Sequence, residues 1–414
     1  MKMHATKICF IFYFLIFSSV SLANINNLLQ SIQTDYENRL DALFKDFHAH
    51  PELSLAEFST SKKIAKALRG HGFQVTENVG GTGVVALLKN GSGPLVMMRA
   101  DMDGLPMPET NDFEHKSKTE GRMHACGHDG HMTMLLGAAR YLAETRNFDG
   151  TVYFIFQPAE EGGAGAAKMI DEGLFADHQM ETVWGMHNWP GLPAGEIAVS
   201  EGASMASADH FEMTVTGRGG HAAMPHQAID PVLAAAHIVQ ALQMLVSRHT
   251  NPQDSSVLSI TTIHGGSAFN VIPDEVILGG TVRAFRPETR ARLEQSLRDV
   301  SRLTAESHGC TVSLDWRQGY PPTVNHQAEA MRAADVARAV VGADRVHMNP
   351  EPSMGAEDFA FMLEAKPGAY IWLGAGEAEA GRMLHNTGYD FNDEILPTGT
   401  SYWAALVESE LAAK

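Results

Sequence analysis

Cysteine is scarce, with three in 414 residues, at positions 9, 126 and 310. A disulfide-stapled scaffold is therefore excluded. Basic residues are also short, with 31 Lys and Arg against 49 Asp and Glu, a formal charge of −18. Such a surface repels phosphate backbones and argues against nucleic acid as a partner. After residue 20 no apolar run is long enough to span a bilayer. Internal repeats and low-complexity tracts are absent too, so solenoid, collagenous and disordered chains fall away. A hydrophobic fraction of 44% fits a globular protein, and 414 residues suggest two or three domains.

The amino terminus stands apart. "MKMHATK" carries Lys2 and Lys7 and no acid, "ICFIFYFLIFSSV" is apolar, and Ser21 and Ala23 are small. That is the pattern of a signal peptide, residues 1–23, cut after Ala23. The apolar run is shorter than the roughly 20 residues of a spanning helix. Cleavage leaves 29 basic against 49 acidic residues, a charge of −20 (31 − 2 = 29; 29 − 49 = −20). The expectation is an exported protein, periplasmic or secreted, with no membrane contact once cut. Cys126 and Cys310 remain, and their spacing permits one disulfide.

Residues 35–72 read as helices, with Ile64, Ala65, Ala67 and Leu68 at helical spacing. Strands follow at Val84–Leu88 and Leu95–Ala100, a helix at Met132–Ala143, a buried strand at Val152–Phe156, and a strand "TVWGMH" ending at His187. This alternation predicts an α/β sheet with helices on both faces. From residue 208 to 319 the order becomes strand, helix, two strands, helix, strand, a ferredoxin-like α+β unit. The reading is one α/β catalytic domain, residues 24–207 and 320–414, interrupted by an inserted α+β domain, residues 208–319.

Chemistry-bearing residues gather where the predicted strands end. Asp101 and Asp103 follow "LVMMRA", Glu160 and Glu161 follow "TVYFIFQ", and His187 follows "TVWGM". In open α/β sheets, sites form at the carboxyl ends of strands. Cys126 and His128, in "HACGHDGH", sit in a loop leading into a helix. Cys126, His128, Glu161 and His187 are metal ligands by type. Each alone is more often a solvated or core residue; together they suggest a site. A nucleophilic Cys126 paired with His128 is the rival reading. No H-E-x-x-H occurs, "GASMA" lacks the last glycine of a nucleophile elbow, and "GGAGAAK" fails the dinucleotide pattern.

The segments "HPELSLAE", "RADMDGLP", "HACGHDGHMTMLLGAA", "FIFQPAEEGGAGA", "GMHNWP", "GRGGHAAMPH", "NVIPD", "GGTVR", "MGAEDFAFML" and "LHNTGYDFND" resemble the M20 metallopeptidase family. Within it they resemble the amidohydrolase branch of hippurate hydrolases, N-acyl-amino-acid deacylases and auxin-conjugate hydrolases. The resemblance runs from about Leu40 to the end.

That resemblance implies a zinc-peptidase-like α/β catalytic domain whose inserted domain makes a homodimer. It implies two divalent metal ions per subunit, held by Cys126, His128, Glu161, His187 and His385. Glu160 matches the general acid/base, and Asp103 matches the position that orients a ligand. The wider family has a histidine where this chain has Asp101. With a thiolate among the donors, zinc, manganese, nickel and cobalt are all open. His221 matches a donor to the developing oxyanion, able to complete a partner's site. Asn270 and Arg283 match positions that meet substrate carbonyl or carboxylate groups, though Arg283 also suits a strand-surface ion pair. Gly355 lies before a helix where backbone can approach substrate, and Glu357 and Asp358 suit either helix N-terminal acids or contacts. The expected activity is amide hydrolysis of a small N-acyl amino acid by metal-activated water. An inactive relative that only binds such ligands, or metal, is the other class.

Overall fold

The strand Gly150–Gln157 is buried along its whole length. Its run of Val, Tyr, Phe and Ile suits a parallel strand covered on both faces. The structure is a computed structural model that describes residues 22–377 and 383–412. The expected signal peptide lies outside them, except for Leu22 and Ala23, which open the first helix, Leu22–Asp35. No helix among the described residues is long and apolar enough to cross a membrane.

The main sheet has eight strands, in the order Gln74–Val79, Gly83–Asn90, Gly150–Gln157, Leu95–Asp101, Thr182–Pro190, Gly368–Gly376, Ile197–Val199, Val346–Met348. The four from Gly150–Gln157 to Gly368–Gly376 are mutually parallel. Their carboxyl ends therefore open on one edge. One face carries a core built from Leu28, Phe44, Ile64, Leu135, Ala334 and Leu406, on six different helices. The other face packs Met169, Phe359 and Met362 against Met97, Ile155 and Trp372. The α/β fold with helices on both faces is thus present.

The second sheet is antiparallel, ordered Ser256–His264, Glu275–Ala284, Asp209–Thr216, Thr311–Arg317. Helices Pro231–Ser247 and Pro287–Ser307 bury Ile238, Leu242, Leu293 and Leu297 against one face. Along Asp209–Thr216, buried residues alternate with exposed or half-buried ones, as one covered face requires. Asp230 caps the first helix, its carboxylate accepting from the amides of Val232 and Leu233 ahead of a first-turn proline. The chain enters and leaves this unit side by side, with the Ala208 amide donating to the Tyr320 carbonyl at 3.0 Å.

Two element boundaries differ from the sequence reading. The helices of residues 35–72 break between His48 and Phe58, since Pro51 disfavours helix at the residue before it. The strand expected to end at His187 continues to Pro190, because Gly368–Gly376 pairs with it that far.

Candidate metal centre

Cys126 and His128 flank Gly127, and the helix His128–Thr145 starts at the second of them. Gly127 has φ +94°, and a Cβ there would lie 2.3 Å from Asn188 Oδ1. Only glycine makes that turn in that space, so both side chains reach the same edge of the sheet. His187 arrives from its strand with Nδ1 donating to the Asn188 carbonyl at 2.7 Å. This tautomer leaves the Nε2 lone pair free, 3.3 Å from Cys126 Sγ.

Glu160 and Glu161 lie in the tight turn after Gly150–Gln157. Ala159 and Ala164 around them have φ of 54° and 52°, a backbone that alanine adopts only under constraint. The constraint is visible. Asp103 accepts from the amides of Glu160 (3.1 Å) and Glu161 (3.0 Å), and Ser54 Oγ donates to it at 2.6 Å. The same carboxylate lies 3.3 Å from His128 Nδ1. His385, at φ 63°, sets Nε2 3.1 Å from Glu161 Oε1. Two groups of donors result, Cys126 with His128 and His187, and Cys126 with Glu161 and His385, each with its donor atoms within 4.8 Å. Between them they use all five expected ligands and share one sulfur.

Both ring nitrogens of His128 and Oε1 of Glu161 are buried with no aligned hydrogen bond, their neighbours at 3.3 and 3.1 Å being charge contacts only. Orphans of this kind cost roughly 1–3 kcal/mol each, so their concentration at one point calls for a ligand. The field there favours a cation. Burial alone would depress His128, but Asp101, Asp103 and Glu161 lift it to about 10. Thiolate, imidazole and carboxylate donors with this field fit divalent metal ions.

Around the donors lies a buried charge network that the sequence did not reveal. Arg99, fully buried, donates from Nη1 to Asp101 (2.8 Å) and from Nη2 to Glu357 (2.9 Å) and Asp358 (3.1 Å). Glu357 and Asp358 are thus ion-pair partners rather than free helix-end acids. His131 Nδ1 meets Asp101 Oδ1 at 2.6 Å. Burial, then Glu357, Glu161 and Asp358, push the Glu160 carboxyl well above the usual range. Tyr320, where the chain leaves the inserted unit, donates its hydroxyl to the Glu160 carbonyl at 2.6 Å.

A pocket of about 550 Å³ opens on these groups, walled by Trp189, Met205, Tyr320, Gly355 and Leu384, with Arg283 and His210 on the inserted-domain side. Arg283 donates Nε to Thr281 Oγ1 at 3.2 Å, and burial depresses its guanidinium. His221 and Asn270 do not line this pocket. They adjoin one another on an exposed hairpin, where the His221 strand pairs with Val271 and Ile272, and the Ala222 amide donates to the Asn270 carbonyl at 3.0 Å.

The cysteine-nucleophile reading finds little support in this geometry. Burial, then Glu161, Glu160 and Asp101, push the Cys126 thiol well up, despite the raised His128 imidazole beside it. An activated thiolate needs a lowered thiol. Cys126 and Cys310 are both free.

Residues 97–409 match the model of Peptidase family M20/M25/M40. The chain is 42% identical to "IAA-amino acid hydrolase ILR1-like 2" of Arabidopsis thaliana over 89% of its own length and 84% of the relative's. It is 40% identical to "Hippurate hydrolase" of Campylobacter jejuni, covering 92% of this chain and 98% of that one. A crystal structure from Bacillus subtilis, described as a dinuclear metal binding peptidase from the M20 family, superposes with a TM-score of 0.80 at 35% identity, over 90% of this chain and 98% of the other.

Proposed function

Because this chain belongs to peptidase family M20/M25/M40 and is a metal-dependent hydrolase, we propose that it cleaves the amide bond of N-acyl amino acids, giving a carboxylic acid and an amino acid. The observation that carries this reading is the pair of donor groups sharing Cys126, with orphaned nitrogens on His128, beside a pocket that also holds Arg283. Two divalent ions bound there would polarise the scissile carbonyl and lower the pKa of the attacking water.

The protein's own groups do the rest. Glu160 takes the proton of the water and passes it to the leaving nitrogen; a carboxyl raised by burial and by neighbouring acids holds that proton readily. Asp103 fixes the Glu160–Glu161 turn through two amides. Arg283, which has no ion-pair partner among the described residues, receives the substrate carboxylate in bidentate fashion. Gly355 lets backbone approach the substrate; a side chain there would come within 3.1 Å of Ser353 Oγ.

The oxyanion donor is His221. Its Nδ1 accepts from the Ala223 amide at 3.1 Å, which leaves Nε2–H free to donate. Since His221 and Asn270 stand on an exposed hairpin away from the pocket, they act across a homodimer formed by the inserted domain. The leader of residues 1–23 directs export to the periplasm or medium.

The test is hydrolysis of a panel of N-acyl amino acids, including hippurate, by the mature protein before and after chelation, with zinc, manganese, nickel and cobalt restored singly. Activity lost to the chelator and regained with one of these ions is expected. Turnover indifferent to chelation would overturn the reading, and so would no turnover of any substrate with any ion.

A further inference from the structure

His385 is the exposed member of the ligand set. Its side chain is 53% accessible against 12% for Glu161, whereas Cys126, His128 and His187 are buried. It stands on a loop rather than a strand end, and its own amide is tied to the Ala125 carbonyl at 2.8 Å. What else fixes that loop decides where its imidazole points.

The loop hangs from residues 109–111. The Thr387 carbonyl accepts from the Thr110 amide at 2.8 Å and from Thr110 Oγ1 at 3.1 Å. The Tyr389 carbonyl accepts from Asn111 Nδ2 at 2.9 Å. Asn111 Nδ2 also donates to Glu109 Oε1 at 2.9 Å, and Glu109 Oε2 accepts from the Ser117 amide at 2.6 Å. Glu109 Oε1 in turn lies 3.1 Å from Nε2 of His48, a fully buried residue at the end of helix Asp41–His48. The other ring nitrogen, Nδ1, lies 2.7 Å from Asp129 Oδ2. Asp129 is the residue next to His128, in the first turn of the ligand-bearing helix.

We infer that His48 is a positioning residue for the metal centre: it clamps the Glu109 strap that carries the His385 loop to the helix that carries His128. One imidazole with a carboxylate on each nitrogen fixes the separation of two ligand-bearing segments. Neither contact reaches substrate. This inference rests on the two-ion reading above, and concerns the group formed by Cys126, Glu161 and His385 in particular, since the ligands Cys126, His128 and His187 are anchored by the helix and sheet.

The test is metal binding, read by elemental analysis after dialysis and by titration with a competing chelator using zinc alone, on wild type, His48→Gln and Asn111→Ala. Wild type is expected to hold two ions. Each variant is expected to hold one ion with wild-type affinity and the second roughly ten- to hundredfold more weakly, as loss of support around a ligand does. Excess zinc then restores kcat. Asn111→Ala breaks the strap without stranding a buried charge, so it answers the question even if His48→Gln does not fold. Variants that fold and hold both ions as tightly as wild type, with only a lower Tm, would overturn the inference and leave the two-ion reading intact. A wild type that binds no ion would overturn both.

Discussion

The indole rings of Trp189 and Trp372 lie flat on one another, centroids 4.0 Å apart and planes 5° from parallel. Trp189 also lines the pocket, two residues past His187, and Trp372 on the neighbouring strand holds it rigid. A fixed aromatic wall beside the metal donors suits a flat acyl group. Trp189→Ala is expected to lower kcat/KM for benzoyl-glycine about ten- to hundredfold, the loss of roughly 1–3 kcal/mol of apolar contact. Acetyl-glycine, which has no ring to lie on the wall, should change far less. Equal losses on the two substrates would mean that the wall does not meet the acyl group.

Glu160→Gln keeps the shape of the side chain and removes its proton chemistry. The kcat should fall by about 10²–10⁴ while metal content and KM hold, since general acid–base transfer contributes on that order. Steady-state kinetics with elemental analysis of the same preparation decides it.

Tyr320→Phe removes one hydroxyl, the donor to the Glu160 carbonyl. That bond is worth roughly 1 kcal/mol, so kcat should drop about five- to tenfold with metal stoichiometry unchanged. An unchanged kcat would show that the turn is held well enough by Asp103 and by the Ala159 amide on Glu57.

Chelation should lower thermal stability as well as activity. An ion present at about a hundred times its Kd stabilises the folded state by roughly 2.7 kcal/mol, which is several degrees of Tm for a chain of this size. Differential scanning calorimetry with and without a chelator measures the shift, and a Tm indifferent to the chelator would count against a resident ion.

His48 gives a pH dependence of definite sign. Burial alone would depress it, but Asp129 and Glu109 raise it to about 10, while His115 packs against its ring edge-on. The raised folded value means that its stabilisation is complete below the unfolded value of about 6.5 and disappears as pH rises through about 10. At pH 7, His48→Gln should cost about 3–5 kcal/mol, the penalty for breaking a buried ion pair. The Tm gap between wild type and variant should narrow from about pH 6.5 upward and close near pH 10. A gap independent of pH would show that His48 is neutral in the fold.

Some of this was legible in the residues and some was not. Cys126, Glu161 and His187 announce themselves because buried apolar strands, or a loop leading into a helix, deliver them to one sheet edge. His385 gives no such signal. It sits at φ 63° in a loop with no periodicity, and only family resemblance pointed to it. Glu357 and Asp358 read equally well as helix-end acids, because their partner, Arg99, lies 258 and 259 residues away and no local pattern links them. His48 fell inside a run that read as helix, and its contacts with Glu109 and Asp129 span 61 and 81 residues. Periodicity reports which face a residue occupies, but pairing across such distances is set by the tertiary fold.

The position of Gly368–Gly376 in the sheet also has a consequence for the chain as it is made. This strand lies between Thr182–Pro190 and Ile197–Val199, yet it follows the whole inserted domain in sequence. During synthesis the first half of the catalytic domain must wait, with the apolar edge of Thr182–Pro190 unpaired, while more than a hundred residues emerge and the inserted unit folds on its own core. That open edge is a template for pairing with another chain. Aggregation of truncated or stalled products should therefore start at Thr182–Pro190, and the donor group that includes His385 can assemble only after Gly368–Gly376 has been made.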